Sequence, residues 1–204
     1  MNLKRRLKDL FLFGIVKKRR KSVWPFLRNS WYDMDLNPYL ERFIKSTDNK
    51  DEGGLKRGIK IRMSSGVGID KRSPGPYRDA SYTMALYESN QTTEETPTAN
   101  EYLACIGFDI EINKIVVKQI QGSHGKEKTL SLVKWERMLL AILTDWAKKN
   151  GFKQVRIIQA KNSYWYRDYD EERTKRMFMH YDITARRSGF SFDQESGQYL
   201  KSIT

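Results

Sequence analysis

Between residues 115 and 160 a strand, a helix and a second strand follow one another with short joints, and this order limits the fold more than any other part of the chain. Ile115-Val116-Val117-Lys118-Gln119-Ile120 is β-branched and bounded by Gly122, the pattern of a strand. Gln121-Gly122-Ser123-His124-Gly125-Lys126 then reads as a loop. From about Leu130 the period changes, and Leu132, Trp135, Leu139, Leu143 and Trp146 recur at three and four, forming one wide apolar face. Lys148-Lys149-Asn150-Gly151 ends that helix, with cations against its carbonyl end and a glycine suited to a left-handed cap. Val155-Arg156-Ile157-Ile158 is the second strand. A crossover of this length makes the two strands parallel neighbours in one sheet.

Period-two alternation marks three further strands. Ile59, Ile61 and Met63 alternate with Lys60 and Arg62, and Tyr82, Met84 and Leu86 with Thr83 and Ala85. Tyr102 to Ile112 alternates in the same way, so all three segments read as half-buried strands. The last of them meets the 115–120 strand through Asn113-Lys114, a tight hairpin. Residues 23 to 47 read as one or two short helices, with Asn37-Pro38 as an N-cap and first-turn signal and with Trp24, Phe26, Trp31, Leu40 and Phe43 as core. Gly66-Val67-Gly68 lacks the strand-to-helix setting of a phosphate loop. After the crossover, Asp168, Asp170, Glu171 and Glu172 form the acidic first turn of a helix that Gly189 closes. Phe190 to Phe192 and Tyr199 to Lys201 make a final hairpin around Glu195-Ser196-Gly197.

The chain of 204 residues carries a net charge of +13, but the excess is not spread evenly. Residues 1 to 22 hold Lys4, Arg5, Arg6, Lys8, Lys17, Lys18, Arg19, Arg20 and Lys21 against Asp9, so this arm accounts for +8 and the remainder for +5. The apolar centre of the arm, residues 10–16, is too short to span a bilayer, and Lys17-Lys18-Arg19-Arg20 stands where a signal peptide would have its cleavage site. The chain is therefore read as a basic amphipathic arm, 1–22, and a single α/β domain, 23–204. The arm suits RNA or another polyanion, an anionic membrane surface through residues 1–20, or packing on its own body. A single cysteine, Cys105, excludes an intramolecular disulfide and a cysteine-rich metal site, and it fits a reducing, cytoplasmic compartment. With His124 and His180 as the only histidines, no metal centre is expected.

The order of elements resembles the Gcn5-related N-acetyltransferase (GNAT) fold. Leu139-Leu140 through Trp146-Ala147-Lys148-Lys149-Asn150-Gly151-Phe152 is similar to that family's central helix, glycine turn and following strand. Ala185-Arg186-Arg187-Ser188-Gly189-Phe190 is similar to the end of its last helix. The resemblance covers about residues 58 to 204 and implies a mixed α+β architecture: antiparallel N-terminal strands, a central strand–helix–strand crossover, a further helix and a closing hairpin. It implies acyl transfer from acyl-CoA or, as in branches that lack the family's glycine signature, from an aminoacyl-tRNA. The family's Gln/Arg-x-x-Gly-x-Gly/Ala loop for pyrophosphate is missing here. Aligned back from Gly151-Phe152, its glycines fall on Leu132 and Lys134. The near-match from Gln119 to His124 has His124 in place of the second small residue. The family's tyrosine acid aligns with Ala185, with Tyr181 one turn earlier.

The resemblance sets the reacting centre where the two central strands part. Gln121, Gly122, Ser123, Gly125 and Lys126 are then donor-loop candidates and His124 a general-base candidate, imidazole being the side chain that titrates nearest neutrality. Asn162, Tyr164, Trp165 and Tyr166 form an aromatic loop able to stack on a base. His180, beside Met177, Phe178 and Tyr181, reads as packed or solvated.

Overall fold

The computed structural model describes residues 31–45, 58–65, 80–88, 102–163, 166 and 170–203. The basic arm, Trp24, Phe26, the Gly66-Val67-Gly68 segment, Asp168, Tyr164 and Trp165 lie outside them. In the described residues eight strands form one sheet, in the order β1-β2-β3-β4-β5-β6-β8-β7. They are β1 (Trp31–Tyr32), β2 (Ile59–Ser65), β3 (Tyr82–Glu88), β4 (Tyr102–Ile110), β5 (Lys114–Gly122), β6 (Gln154–Ile158), β7 (Ser191–Asp193) and β8 (Gln198–Ser202). Strands β1 to β5 are antiparallel neighbours, and the only parallel pair is β5 with β6. The helices are α1 (Asn37–Phe43), α2 (Glu127–Ser131), α3 (Trp135–Lys149), α4 (Glu171–Phe178) and α5 (Thr184–Arg187), with a π-helical turn over Met179–Ile183 between the last two. The expected mixed architecture is present: antiparallel strands, crossover, further helix and closing hairpin. No helix among the described residues is long and apolar enough to cross a membrane.

Helix α3 is the centre of the core. Met138, Leu139, Leu140, Ile142, Leu143 and Ala147 are wholly buried, a wider stripe than the five-residue face expected from the sequence. The sheet covers one side of α3, while α1 lies on another with the Tyr39 hydroxyl donating to Asp145 Oδ2 at 2.7 Å. Each such aliphatic side chain removed from water stabilises the fold by about 1.5–3 kcal/mol. Two helix ends share one device. After α3, Gly151 takes φ +72, its N–H bonds Lys148 O, and Phe152 N–H reaches Ala147 O. After α5, Gly189 (φ +78) and Phe190 repeat the pattern onto Arg186 O and Ala185 O. Both are Schellman caps with the next residue, a phenylalanine, buried.

Several expectations are corrected. Trp31–Tyr32 pairs with β2 as a strand and does not continue a helix. Asn37 is the first residue of α1, not its cap: Leu36 caps it, and Asp35 Oδ1 accepts the Asn37 N–H. Ile112 lies beyond the end of β4, 56% exposed in the turn. Strands β3 and β4 are buried on both faces, because Ala85, Tyr87, Tyr102 and Cys105 form a second apolar cluster apart from the main core. The helix read from Leu130 onward is broken at 132–134. There Val133 bridges to Ile44, Lys45 N–H bonds Leu132 O, and Lys134 N–H bonds Phe43 O. Those tertiary bonds take the backbone groups that a continuous helix would use. The Glu171-to-Ser188 helix is likewise not uniform, since the π turn interrupts it.

Strand β5 carries a bulge. Gly107 faces Gln119 but Phe108 faces Val117, leaving Lys118 without a partner on β4. A Cβ at Gly107 would stand 2.9 Å from Gln119 Cβ, so only glycine fits opposite that strand. The Lys118 ammonium turns back to Asp109, whose Oδ1 also accepts the Ser81 N–H at 2.8 Å. Burial alone would raise the Asp109 carboxyl pKa, but Lys118 and the two bonds from Ser81 outweigh it and hold the value below the ordinary one. A pKa lower in the folded than the unfolded state gives stability that is present above the ordinary carboxylate range, near about 4, and is lost as pH falls through the folded value. Asp109→Asn is therefore expected to destabilise at pH 7 and to do so by less at pH 3. Urea unfolding of both proteins at the two pH values checks this, and an equal difference at both would contradict it.

Candidate functional site

The parallel pair is short. Its register runs from Lys114↔Gln154 to Val117↔Ile157, after which β6 ends at Ile158 while β5 continues to Gly122. Past that point the free edge of β5 needs partners for its backbone groups. Tyr181 supplies them: its hydroxyl donates to Lys118 O and accepts from Ile120 N–H, both at 3.1 Å. The neighbouring residue closes the end of β6. Asp182, 3% exposed, accepts the Ala160 N–H through Oδ2 and the Tyr199 hydroxyl through Oδ1, each at 3.0 Å. Arg186 Nε in turn donates to that hydroxyl. The extra residue per turn of the π segment lets Tyr181 and Asp182 face the sheet while His180 faces α3.

His180 is the residue that the sequence reading set aside. Its Nδ1 lies 2.8 Å from Glu136 Oε1, and its ring stands 5.2 Å from that of Trp135. With Nδ1–H given to the carboxylate, Nε2 holds the lone pair. His180 lines two cavities. The larger, about 750 Å3, opens between the end of β5, the start of α3 and the α4–π segment. Lys45, Lys134, Arg137, Arg176 and Arg187 stand round it, opposed by Glu127 and Glu136. Arg176 is paired with Glu172; the other four cations form no ion pair among the described residues. The smaller cavity, about 260 Å3, lies on the β5 side among Gln119, Gln121, Ser163, Met177 and Tyr181. Ser163 Oγ is buried there without a hydrogen-bond partner among the described residues.

The candidates from the sequence are placed as follows. Gln121 and Gly122 lie in β5, not in a loop. Gly122 lines both cavities, but its lack of a side chain serves packing, since a Cβ would meet Leu130 Cδ1 at 3.0 Å. Ser123 lines the larger cavity with its N–H on Leu103 O. His124 stands at that cavity's rim, fully exposed, with Nδ1 3.3 Å from Glu127 Oε1. A carboxylate is therefore within reach of its ring, which spacing alone did not reveal. The same Glu127 oxygen accepts the Gly125 N–H, so this turn meets its own anion. Backbone bonds and that turn amide hold the Glu127 carboxyl below its ordinary pKa. Lys126 points away to Glu88. Asn162 is exposed at the end of a 3-10 turn, and Tyr166 is half-buried against the core.

Gln121, Gly122, Ser123 and His124 are thus gathered round His180–Glu136, while Lys126, Asn162 and Tyr166 are not. The dyad was hidden because its members are 44 residues apart. Only the placement of His180 on the side of the π turn towards α3 would have signalled it.

No family model matches the chain, and no curated protein matches it. Among solved structures it is similar to a GNAT-family N-acetyltransferase (YhbS) from Escherichia coli in complex with CoA, at 8% identity and a TM-score of 0.36, over 61% of this chain and 60% of that one. It is also similar to an acetyltransferase of the GNAT family from Staphylococcus aureus Mu50, at 10% identity and a TM-score of 0.38, over 85% of this chain and 97% of that one. The chain thus spans about 60% of the length of the first of these.

Proposed function

We propose that this protein transfers an acyl or aminoacyl group from a phosphate-bearing donor to an amine, with His180 as general base. The observation that supports the reading most is the His180–Glu136 pair standing between two cavities, the larger of them ringed by five cations, four of which form no ion pair among the described residues. The donor lies in the larger cavity, where Lys45 and Lys134 meet its negative charge. The acceptor amine enters from the smaller one, with the Ser163 hydroxyl as its polar contact. The neutral amine nitrogen bonds to the donor carbonyl carbon as His180 Nε2 takes one of its protons, and Glu136 stabilises the imidazolium that results. Collapse of the tetrahedral adduct breaks the bond to the thiolate or ribose oxygen, and that leaving group receives the proton. His124 at the rim is the alternative base, since Glu127 can orient its ring as Glu136 orients that of His180.

Acyl-CoA and aminoacyl-tRNA both carry the required phosphates, and thermal unfolding separates them. A donor that binds only the folded chain stabilises it by about 2.7 kcal/mol at a hundredfold excess over its dissociation constant. A rise in the unfolding midpoint is expected with acetyl-CoA or a longer acyl-CoA, or else with aminoacyl-tRNA, and transfer to an amine should follow from whichever ligand binds. Binding of uncharged tRNA as tight as that of the charged form, without transfer, would instead support a non-catalytic RNA-binding protein. No shift with any of them would sink the proposal.

A further inference from the structure

A third cavity, about 230 Å3, opens further along α3 from His180, beside Arg137 to Asp145. Four cations reach it from four elements: Arg42 of α1, Arg137 of α3, Arg187 of α5 and Lys201 of β8. The one carboxylate on its wall, Asp145, is engaged by the Tyr39 hydroxyl. Arg42, Arg137 and Arg187 form no ion pair among the described residues. Arg42 and Arg137 instead share one ring, their guanidinium carbons 5.1 and 5.7 Å from the centroid of Phe43. Two cations near one ring repel each other, and an anion bound beside both would offset that repulsion.

A second observation is independent of charge. Arg137 Nε and Ser188 Oγ, both on residues that line this cavity, are buried with no hydrogen-bond partner among the described residues. Buried polar groups are almost always satisfied, so each such deficit calls for a missing acceptor. Lys201 is already fixed in place, with Nζ donating to Ser188 O at 2.9 Å and lying 5.5 Å from the Phe190 centroid. Arg137 and Arg187 also line the larger cavity, so the two spaces adjoin through them.

We infer that this third cavity is a subsite for a terminal phosphate monoester carried by the ligand of the larger cavity. Guanidinium forks match phosphate oxygens two at a time, and a monoester near pH 7 carries about −1.5 to −2, which suits three arginines and one lysine better than a carboxylate does. A diester carries a single negative charge per phosphate, a poorer match for four cations. The inference rests on the transferase reading for the rest of the ligand, but not for the phosphate itself.

The test uses the full chain with inorganic phosphate and pyrophosphate, against chloride at matched ionic strength. Saturable binding by calorimetry is expected, and Arg42→Gln or Arg187→Gln, both at exposed side chains, should each weaken it about tenfold. In a transfer assay Arg42→Gln, whose side chain lies outside the larger cavity, should raise KM for the donor and leave kcat within twofold. Phosphate binding that neither variant changes would overturn the subsite. If transfer proceeds with an unaltered KM in Arg42→Gln, the subsite also falls and the transferase reading stands. If phosphate binds as described and no donor is ever turned over, the subsite stands and the transferase reading fails. Should Arg42→Gln weaken tRNA binding but not phosphate binding, the ligand is a diester backbone and the monoester assignment is wrong.

Discussion

His180→Ala is expected to lower kcat for transfer by about 10²–10⁴-fold, the range over which a positioned base acts, with the fold retained. The loss follows from geometry. Nδ1 is held by Glu136 at 2.8 Å, which fixes the ring and leaves Nε2 as the only basic nitrogen at the boundary of the two cavities. Alanine removes the base and also leaves Glu136, a half-buried carboxylate, without its partner. A second variant separates these effects. His180→Gln can still donate an amide N–H to Glu136 but cannot take up a proton, so it should fall as far as alanine does. Glu136→Gln keeps the imidazole and loses its orienting charge, and a smaller fall is expected. Single-turnover assays at saturating donor, beside thermal unfolding of each variant, give the comparison. A glutamine variant within threefold of the parent would show that His180 only positions the site, and His124→Ala would then be the decisive variant.

Tyr181→Phe is expected to destabilise the fold by about 2–6 kcal/mol, since it leaves two backbone groups unpaired at roughly 1–3 kcal/mol each. The ring itself is unchanged and stays buried, so little of the cost is a packing loss. What disappears is the hydroxyl that serves both Lys118 O and Ile120 N–H where β5 has lost its neighbour. Urea unfolding should show a lower midpoint at an unchanged m-value. A change under 0.5 kcal/mol would mean that these groups find other partners, and that the gap between β5 and β6 is less closed than it looks. The same bonds bear on ligands: any molecule that pairs with the edge of β5 at this point must first displace Tyr181.

The elements legible in the sequence were those fixed by local chemistry. Asn150-Gly151-Phe152 and Ser188-Gly189-Phe190 announced two helix ends, because a left-handed cap favours glycine and an apolar residue must follow it. Asp170 at the head of an acidic turn announced a start, and its side chain does accept the Arg173 N–H. The β5–α3–β6 crossover followed from period and joint length. What stayed hidden depends on distant contacts. Leu132 keeps the helical period, yet Val133 leaves the helix to bridge Ile44. A π turn adds one residue without altering the i, i+3 and i+4 composition, so Tyr181, Asp182 and His180 could not be assigned their faces. The two-sided burial of β3 and β4 has a signal in the sequence: Ala85, Tyr87 and Cys105 alternate with the core-facing residues, and none is charged. Of the site, the β5 end was found and its partner across the chain was not.

The placing of β8 between β6 and β7 has a consequence for how the molecule is made. Strands β2 to β5 are antiparallel neighbours in order, so they can pair as they leave the ribosome. Strand β6 emerges with only Lys114 to Val117 of β5 to hold it, and its other edge stays open until residues 198–202 arrive. Strand β7 is synthesised before β8 and has no other neighbour among the described strands, so it must wait for a strand not yet made. Asp182 waits as well, since its bond from Tyr199 comes from that last strand. The order of synthesis thus leaves the interior carboxylate among the parts of the protein that are fixed only once β8 has been made.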